Sequence, residues 1–211
     1  MSADPELGLV YLPVELPTGD YYGGHRPGAG LFGESIVAVD VKTGVRKWHY
    51  QLVHHGIWDY DVATAPVLAD ITVDGRKIKA VAQVTKHGFT FVFDRVTGQP
   101  VWPIEERPVP KGDTPGEWYA PTQPFPTRPP AFDKQGVTDD DVIDWTPELK
   151  KEALDIIHQY RYGSLFTPPS TIDGKDGKQG TIFIPGNDAT AWYAQGYDPE
   201  TKVLYVSTGN S

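Results

Sequence analysis

The chain has 211 residues, no cysteine, 22 glycines, 20 prolines and a net charge of −9. The missing thiols exclude disulfides, Cys-ligated zinc and iron–sulfur centres, and the acidic balance argues against nucleic acid as a partner. No apolar run approaches the ~18 residues of a spanning helix, while hydrophobic residues at 39% still suffice for a packed core.

The first residues, MSADPELGLVYLP, read as polar and then strand-like, not as a signal peptide. A strand is predicted over 8–14. The loop VELPTGDYYGG (Val14 to Gly24) follows, and then strands over 35–40 and 46–53. VHHGIWDYD, Val53 to Asp61, comes next and puts two histidines, a tryptophan and two carboxylates inside nine residues. Such a cluster is hard to explain as a plain turn and suits groups that converge on a ligand or a metal. Strands over 66–72, 78–85 and 89–94 follow, the last two apolar enough to be buried, with Lys86-His87-Gly88 as the turn between them. After a strand over 100–104, residues 105–162 form a Pro-rich insertion too long for a routine loop. One helix is predicted inside it, near 147–160. Thr146 suits the N-cap and Pro147 the first helical position, and Leu149, Ala153, Ile156, Ile157 and Tyr160 make an apolar stripe. Strands over 181–185 and 203–207 complete the series.

Two segments repeat. AVDVKTGVRKW (Ala38 to Trp48) and VFDRVTGQPVW (Val92 to Trp102) share an Asp, a Thr-Gly pair and a terminal Trp, 54 positions apart. In each, a short carboxylate is placed to accept main-chain N–H bonds in a tight turn, and the Trp is expected to pack on the neighbouring unit. DPELGLVYL (Asp4 to Leu12) is echoed by DPETKVLYV (Asp198 to Val206). Repeats of this size built of short strands indicate a β-propeller. The fold class is therefore all-β: a partial propeller of about three blades over 1–211, carrying the 105–162 insertion between blades. Because the strand material is too little for closure, the chain is expected to be a fragment of a longer protein.

The two Trp-ended repeats, VHHGIWDYD, VTKHGFTFVFDRVTG, PIEERPVPKGDTPGEWYAPTQPFP and LFTPPS together resemble the pyrroloquinoline quinone (PQQ)-dependent dehydrogenases, most closely the membrane-bound glucose dehydrogenase type. The resemblance covers nearly the whole chain. It implies an eight-bladed propeller that holds PQQ with Ca²⁺, Mg²⁺ or a lanthanide. The implied activity is oxidation of an alcohol or aldose sugar by hydride transfer to the quinone. Ubiquinone or a cytochrome would accept the electrons in the periplasm, and the fragment alone would be inactive.

By the same resemblance, Asp59 is the general base that takes the substrate hydroxyl proton, and Lys86, 27 positions later, contacts the quinone oxygens. A fixed cation there would stabilise the charge that develops on reduction. Asp61 shares a face with Asp59 if the segment is strand-like, so both are candidate metal ligands; a structural turn role for Asp61 is equally open. Trp192 matches a tryptophan beside the cofactor, although a core role fits its composition as well, and the preceding Ala191 stands where relatives carry a polar group. Leu16 occupies the position of an Asn metal ligand and cannot bind a hard cation, which leaves Glu15, Thr18 or Asp20 as substitutes. His54 and His55 would point to opposite faces of a strand, which makes them poor co-ligands and assigns them to packing or to support of Asp59. A different class remains open: Trp-ended propeller repeats also build scaffolds without a cofactor, and the Leu16 and Ala191 departures are compatible with such a non-catalytic module.

Overall fold

The structure is a computed structural model that describes residues 1–17, 19–172, 174–186 and 195–209. Strands β1 (Ser2–Asp4), β2 (Leu9–Val14), β3 (Ser35–Asp40) and β4 (Arg46–Gln51) form one four-stranded antiparallel sheet in sequence order. Strands β5 (Val67–Val73), β6 (Arg76–Val84) and β7 (Thr90–Asp94) form a second, extended by a single bridge between Phe93 and Pro100. A hairpin of β8 (Ile104–Pro108) and β9 (Thr122–Pro126) leaves that plan. After helix α1 (Pro147–Ile157), β10 (Gly196–Asp198) and β11 (Val203–Tyr205) begin a third sheet. The result is an open, partial propeller: two blades and the first strands of another.

The repeated turns work as the residue types require. Asp40 Oδ1 accepts the N–H groups of Lys42 and Thr43 at 3.1 and 3.0 Å, and Asp94 Oδ1 those of Val96 and Thr97 at 2.9 and 3.1 Å. Gly44 and Gly98 close the two turns in the left-handed region, at φ 70° and 76°. The second echo uses the same device, with Asp4 and Asp198 capping turns whose left-handed positions are Gly8 and Lys202. Trp48 then packs across the blade boundary: its indole N–H donates to the Arg95 carbonyl, and a Cβ on Gly98 would stand 2.6 Å from its ring. Arg95 pins the boundary from the other side. Its guanidinium reaches Asp4 and Asp70, each at 2.7 Å, while its carbonyl also accepts from the Tyr11 hydroxyl at 2.9 Å. Trp102 and Leu204 each pack against the cluster of Ala80, Ala82 and Val92.

Proline accounts for the main departures from the predicted elements. Pro100 and Pro103 carry no N–H for a ladder, so the strand expected over 100–104 shrinks to the Pro100 bridge. The paired stretch starts at Ile104 and turns away to meet β9. The pattern did not disclose β9 because TQPFP holds two prolines; it survives as half of an isolated hairpin, where such residues are tolerated. The strand expected over 181–185 reduces to one bridge, Arg161 to Thr181. Helix α1 starts as expected, with Thr146 Oγ1 accepting from Leu149 N at 3.3 Å, and ends at Ile157, short of Tyr160.

Candidate active site

The segment after β4 is extended only in part, and its aromatic residues decide which way its carboxylates face. Trp58 and Tyr60 are buried, stack on each other at 6.1 Å and meet Phe166 edge-on. Each is tied to the LFT stretch: Trp58 Nε1 donates to the Thr167 carbonyl at 2.7 Å and the Tyr60 hydroxyl to the Leu165 carbonyl at 2.9 Å. The alternating residues, Asp59 and Asp61, are thereby directed away from the core. Asp59 sits at φ 59°, in the left-handed region that non-glycine residues seldom occupy.

The β6–β7 connection meets this segment. Lys86 Nζ lies 3.1 Å from Asp59 Oδ2 and 3.1 Å from Asp61 Oδ2. The ammonium side chain is 3% exposed and each carboxylate 16%, so the cluster is largely withdrawn from water. Asp61 is further fixed by the Leu16 main-chain N–H, which donates to Oδ1 at 2.9 Å. Three loops from one end of the two blades thus converge on one charged cluster.

The two carboxylates are inequivalent. Burial first, then the hydrogen bond shared with Asp61, pushes the Asp59 carboxyl up to about 6 against the pull of Lys86. Burial also acts to raise Asp61, but the bonds from Asp59, Leu16 N–H and Lys86 outweigh it and leave Asp61 below the ordinary carboxylate value. Burial opposes the charge on Lys86, yet the two carboxylates prevail and hold its pKa above the usual lysine value. Groups whose environments push their pKa values apart are the expected form of an acid–base site. Beside Lys86, His87 is fully buried against Tyr60, Phe89, Phe91 and Phe166, and burial lowers it to about 3. It is a neutral packing group.

The sequence did not bring out a further buried acidic group behind Asp61. Glu34 is buried, and burial first, then the Asp61 charge, holds its carboxyl well above the usual range. Gly56 permits this, since a Cβ there would fall on the Glu34 carboxylate. Arg26 lies alongside, partly offsets that rise and donates Nη2 to the Gly56 carbonyl. No periodicity or motif marks a buried glutamate beside a glycine of a different loop.

Among the described residues, no group of three His, Cys, Asp or Glu side chains is set to hold a metal ion. The Oδ2 atoms of Asp59 and Asp61 converge on the Lys86 ammonium, each at 3.1 Å, and carboxylate oxygens are the donor type that a hard cation takes. Leu16 contributes only its N–H, and Glu15 and Asp20 are exposed. Thr18, Ala191 and Trp192 lie outside the described residues. The histidines separate, as expected of poor co-ligands. His54 faces Gln51 and Glu106, whereas His55 faces Gly28 and Glu117.

The family profile described as "PQQ: Glucose/ethanol/alcohol dehydrogenase, beta-propeller domain" matches residues 1–211. The chain belongs to this PQQ dehydrogenase family. It is 39% identical over 208 residues to the quinoprotein glucose dehydrogenase of Escherichia coli, covering 97% of this chain and 25% of that protein. It is 36% identical over 211 residues to the glycerol dehydrogenase large subunit of Gluconobacter oxydans, covering 98% of this chain and 28% of the relative. Among solved structures, a quinohemoprotein alcohol dehydrogenase from Pseudomonas putida superposes with a TM-score of 0.58 at 25% identity, over 97% of this chain and 24% of that one. This PQQ-family chain therefore spans about a quarter of the length of the relatives it matches. Among its described residues, no helix is long and apolar enough to cross a membrane.

Proposed function

We propose that this chain supplies the proton-accepting side of a PQQ-dependent dehydrogenase that oxidises an alcohol or an aldose sugar. The observation that carries the reading is the Asp59–Lys86–Asp61 cluster, with one carboxyl raised to about 6 and its partner lowered. Asp59 is the base. Near neutral pH it is ionised, yet close enough to its titration range to take a hydroxyl proton. Asp61 stays charged, accepts the Leu16 N–H and keeps Lys86 in place. Lys86 would contact the quinone oxygens, and its fixed positive charge would stabilise the negative charge that reduction builds there. Asp59 and Asp61 together offer oxygen donors to Ca²⁺, Mg²⁺ or a lanthanide, and Trp192 offers an aromatic face to the cofactor. When bound, PQQ supplies the two-electron acceptor and the cation supplies Lewis acidity. Excluded water around the cluster strengthens each of these interactions. By analogy with the family, the setting is periplasmic and the electrons pass to ubiquinone or a cytochrome.

The test is the full-length protein that carries this chain, loaded with PQQ and Ca²⁺ or a lanthanide. Dye reduction is followed with a panel of alcohols and aldoses. Turnover that is lost in Asp59→Asn supports the reading; full turnover in that variant removes Asp59 as the base. Leu16 favours a second reading, a propeller that has lost cofactor binding, because a leucine gives no side-chain donor to a cation. Absence of quinone absorbance after incubation with PQQ and metal would select it.

A further inference from the structure

The Pro-rich excursion grips the Asp59-bearing segment at two adjacent residues. Gln123 on β9 is fully buried, and its amide takes both main-chain groups of His54: Oε1 accepts from His54 N at 2.8 Å and Nε2 donates to His54 O at 2.7 Å. One residue on, His55 is enclosed. Its Nδ1 lies 2.6 Å from the Gly28 carbonyl oxygen and its Nε2 2.8 Å from Glu117 Oε1, with the two side chains 0% and 1% exposed. A carbonyl can only accept, so Nδ1 carries a proton. Glu117 also receives two main-chain N–H groups, Gly23 on Oε2 at 2.6 Å and Trp118 on Oε1 at 2.9 Å. Both Glu117 oxygens are thus taken up as acceptors, so Nε2 is the donor to Oε1 and carries a proton as well. Gly23 must lack a side chain for this contact, since a Cβ would stand 2.7 Å from His55 Nε2 and 3.0 Å from the Arg26 guanidinium carbon.

We propose that Glu117 holds His55 as an imidazolium, and that this buried ion pair positions the Asp59 segment. His55 is left-handed at φ 47°, and four residues later Asp59 is left-handed at φ 59°. Each such non-glycine residue is held by its surroundings against its own preference. Gln123 sets the main chain just before His55, Glu117 and Gly28 set the ring, and the Trp58 and Tyr60 anchors set the far side. The excursion is thus part of the site and not a spacer between blades. His55 and Glu117 act through Asp59 and are positioning residues. The proposal rests on the reading of Asp59 as base only for its consequence on turnover.

Ring-¹⁵N histidine labelling of the full-length protein tests it, with His55→Gln used to assign the signal. Two protonated ring nitrogens are expected for His55. In Glu117→Gln one nitrogen should lose its proton, because the amide can donate to Nε2 where the carboxylate could only accept. A neutral ring in the parent protein overturns the proposal. In turnover, Glu117→Gln keeps the side-chain shape but gives up one main-chain N–H acceptor, and should lower kcat on the order of 10-fold. Glu117→Ala should lower it on the order of 100-fold, the scale of a displaced catalytic group, with KM nearly unchanged in both. Unaltered kcat in both variants overturns the positioning role. Retained turnover in Asp59→Asn defeats the base assignment alone, because the ring-nitrogen signature is read without turnover.

Discussion

At one end of the first two blades, the turns after β3 and β7 use the same bonds; at the other end, no two connections are alike. The Asp40 and Asp94 turns each close within five residues on a capping carboxylate and a left-handed glycine. The opposite end gathers Leu16 from one loop, Asp59 and Asp61 from a second and Lys86 from a third. The first end relies on favourable local conformations. The second holds three non-glycine residues, Glu34, His55 and Asp59, at positive φ, and it buries charge that only distant partners neutralise. Local turns therefore maintain the blades, while the convergence of two carboxylates on one buried ammonium is found at the end where chemistry is proposed.

Substitutions can separate the two ends, and the largest effect is expected at the charged one. Asp59→Asn should lower kcat by roughly 10²–10⁴-fold, the range for loss of a general base, with thermal stability nearly unchanged in a melting curve. At the turn end, Trp48→Ala removes the indole packed over Gly98 and should destabilise the fold by about 3–5 kcal/mol. Denaturant unfolding would show this, with kcat per folded molecule preserved. Gly56→Ala crosses the comparison, since its Cβ would fall on the Glu34 carboxylate. A stability loss of about 1–3 kcal/mol from overpacking is expected, together with a fall in kcat as Asp61 is displaced. Asp94→Ala should cost about 1 kcal/mol, as two N–H groups of an exposed turn pass to water, and should leave turnover untouched.

The smallest effect is a titration. In the metal-free protein, the Asp59 carboxyl should titrate near pH 6, where an unperturbed aspartate titrates near 3.8. Isotope-edited infrared spectroscopy would follow it. Lys86→Ala should raise it further, because Lys86 acts to lower it. The folded state holds this proton more tightly than the unfolded chain does. Its contribution to stability is therefore full below about 3.8 and lost as pH rises through about 6. Asp61, lowered on folding, contributes in the opposite sense. An Asp59 titration at the ordinary aspartate value would remove the inequivalence on which the acid–base reading depends.

Much of this was legible before the structure. The Asp-x-x-Thr-Gly turns, the Trp that ends each repeat and the N-cap of α1 follow from local chemistry, in which a few consecutive residues satisfy one another. Asp59, Asp61 and Lys86 were legible as a set only through the resemblance of their motifs. Periodicity alone would have left Lys86 an ordinary turn lysine. The β8–β9 hairpin was not legible, because proline removes the ladder donors on which strand patterns rely.

The sequence by itself determined the all-β blade architecture, which is written in short stretches with local rules, and it named Asp59 as candidate base only through the resemblance of its motif. Tertiary structure alone decided that the ammonium of Lys86 bridges the two carboxylates, that Glu34 lies buried behind them with Arg26 half-buried alongside, and that Gln123 and Glu117 clamp His54 and His55. These groups lie 25 to 69 positions apart in pairs such as Lys86–Asp61 and Gln123–His54. Their protonation and orientation depend on burial and on charges from different loops, and neither quantity exists until the loops meet.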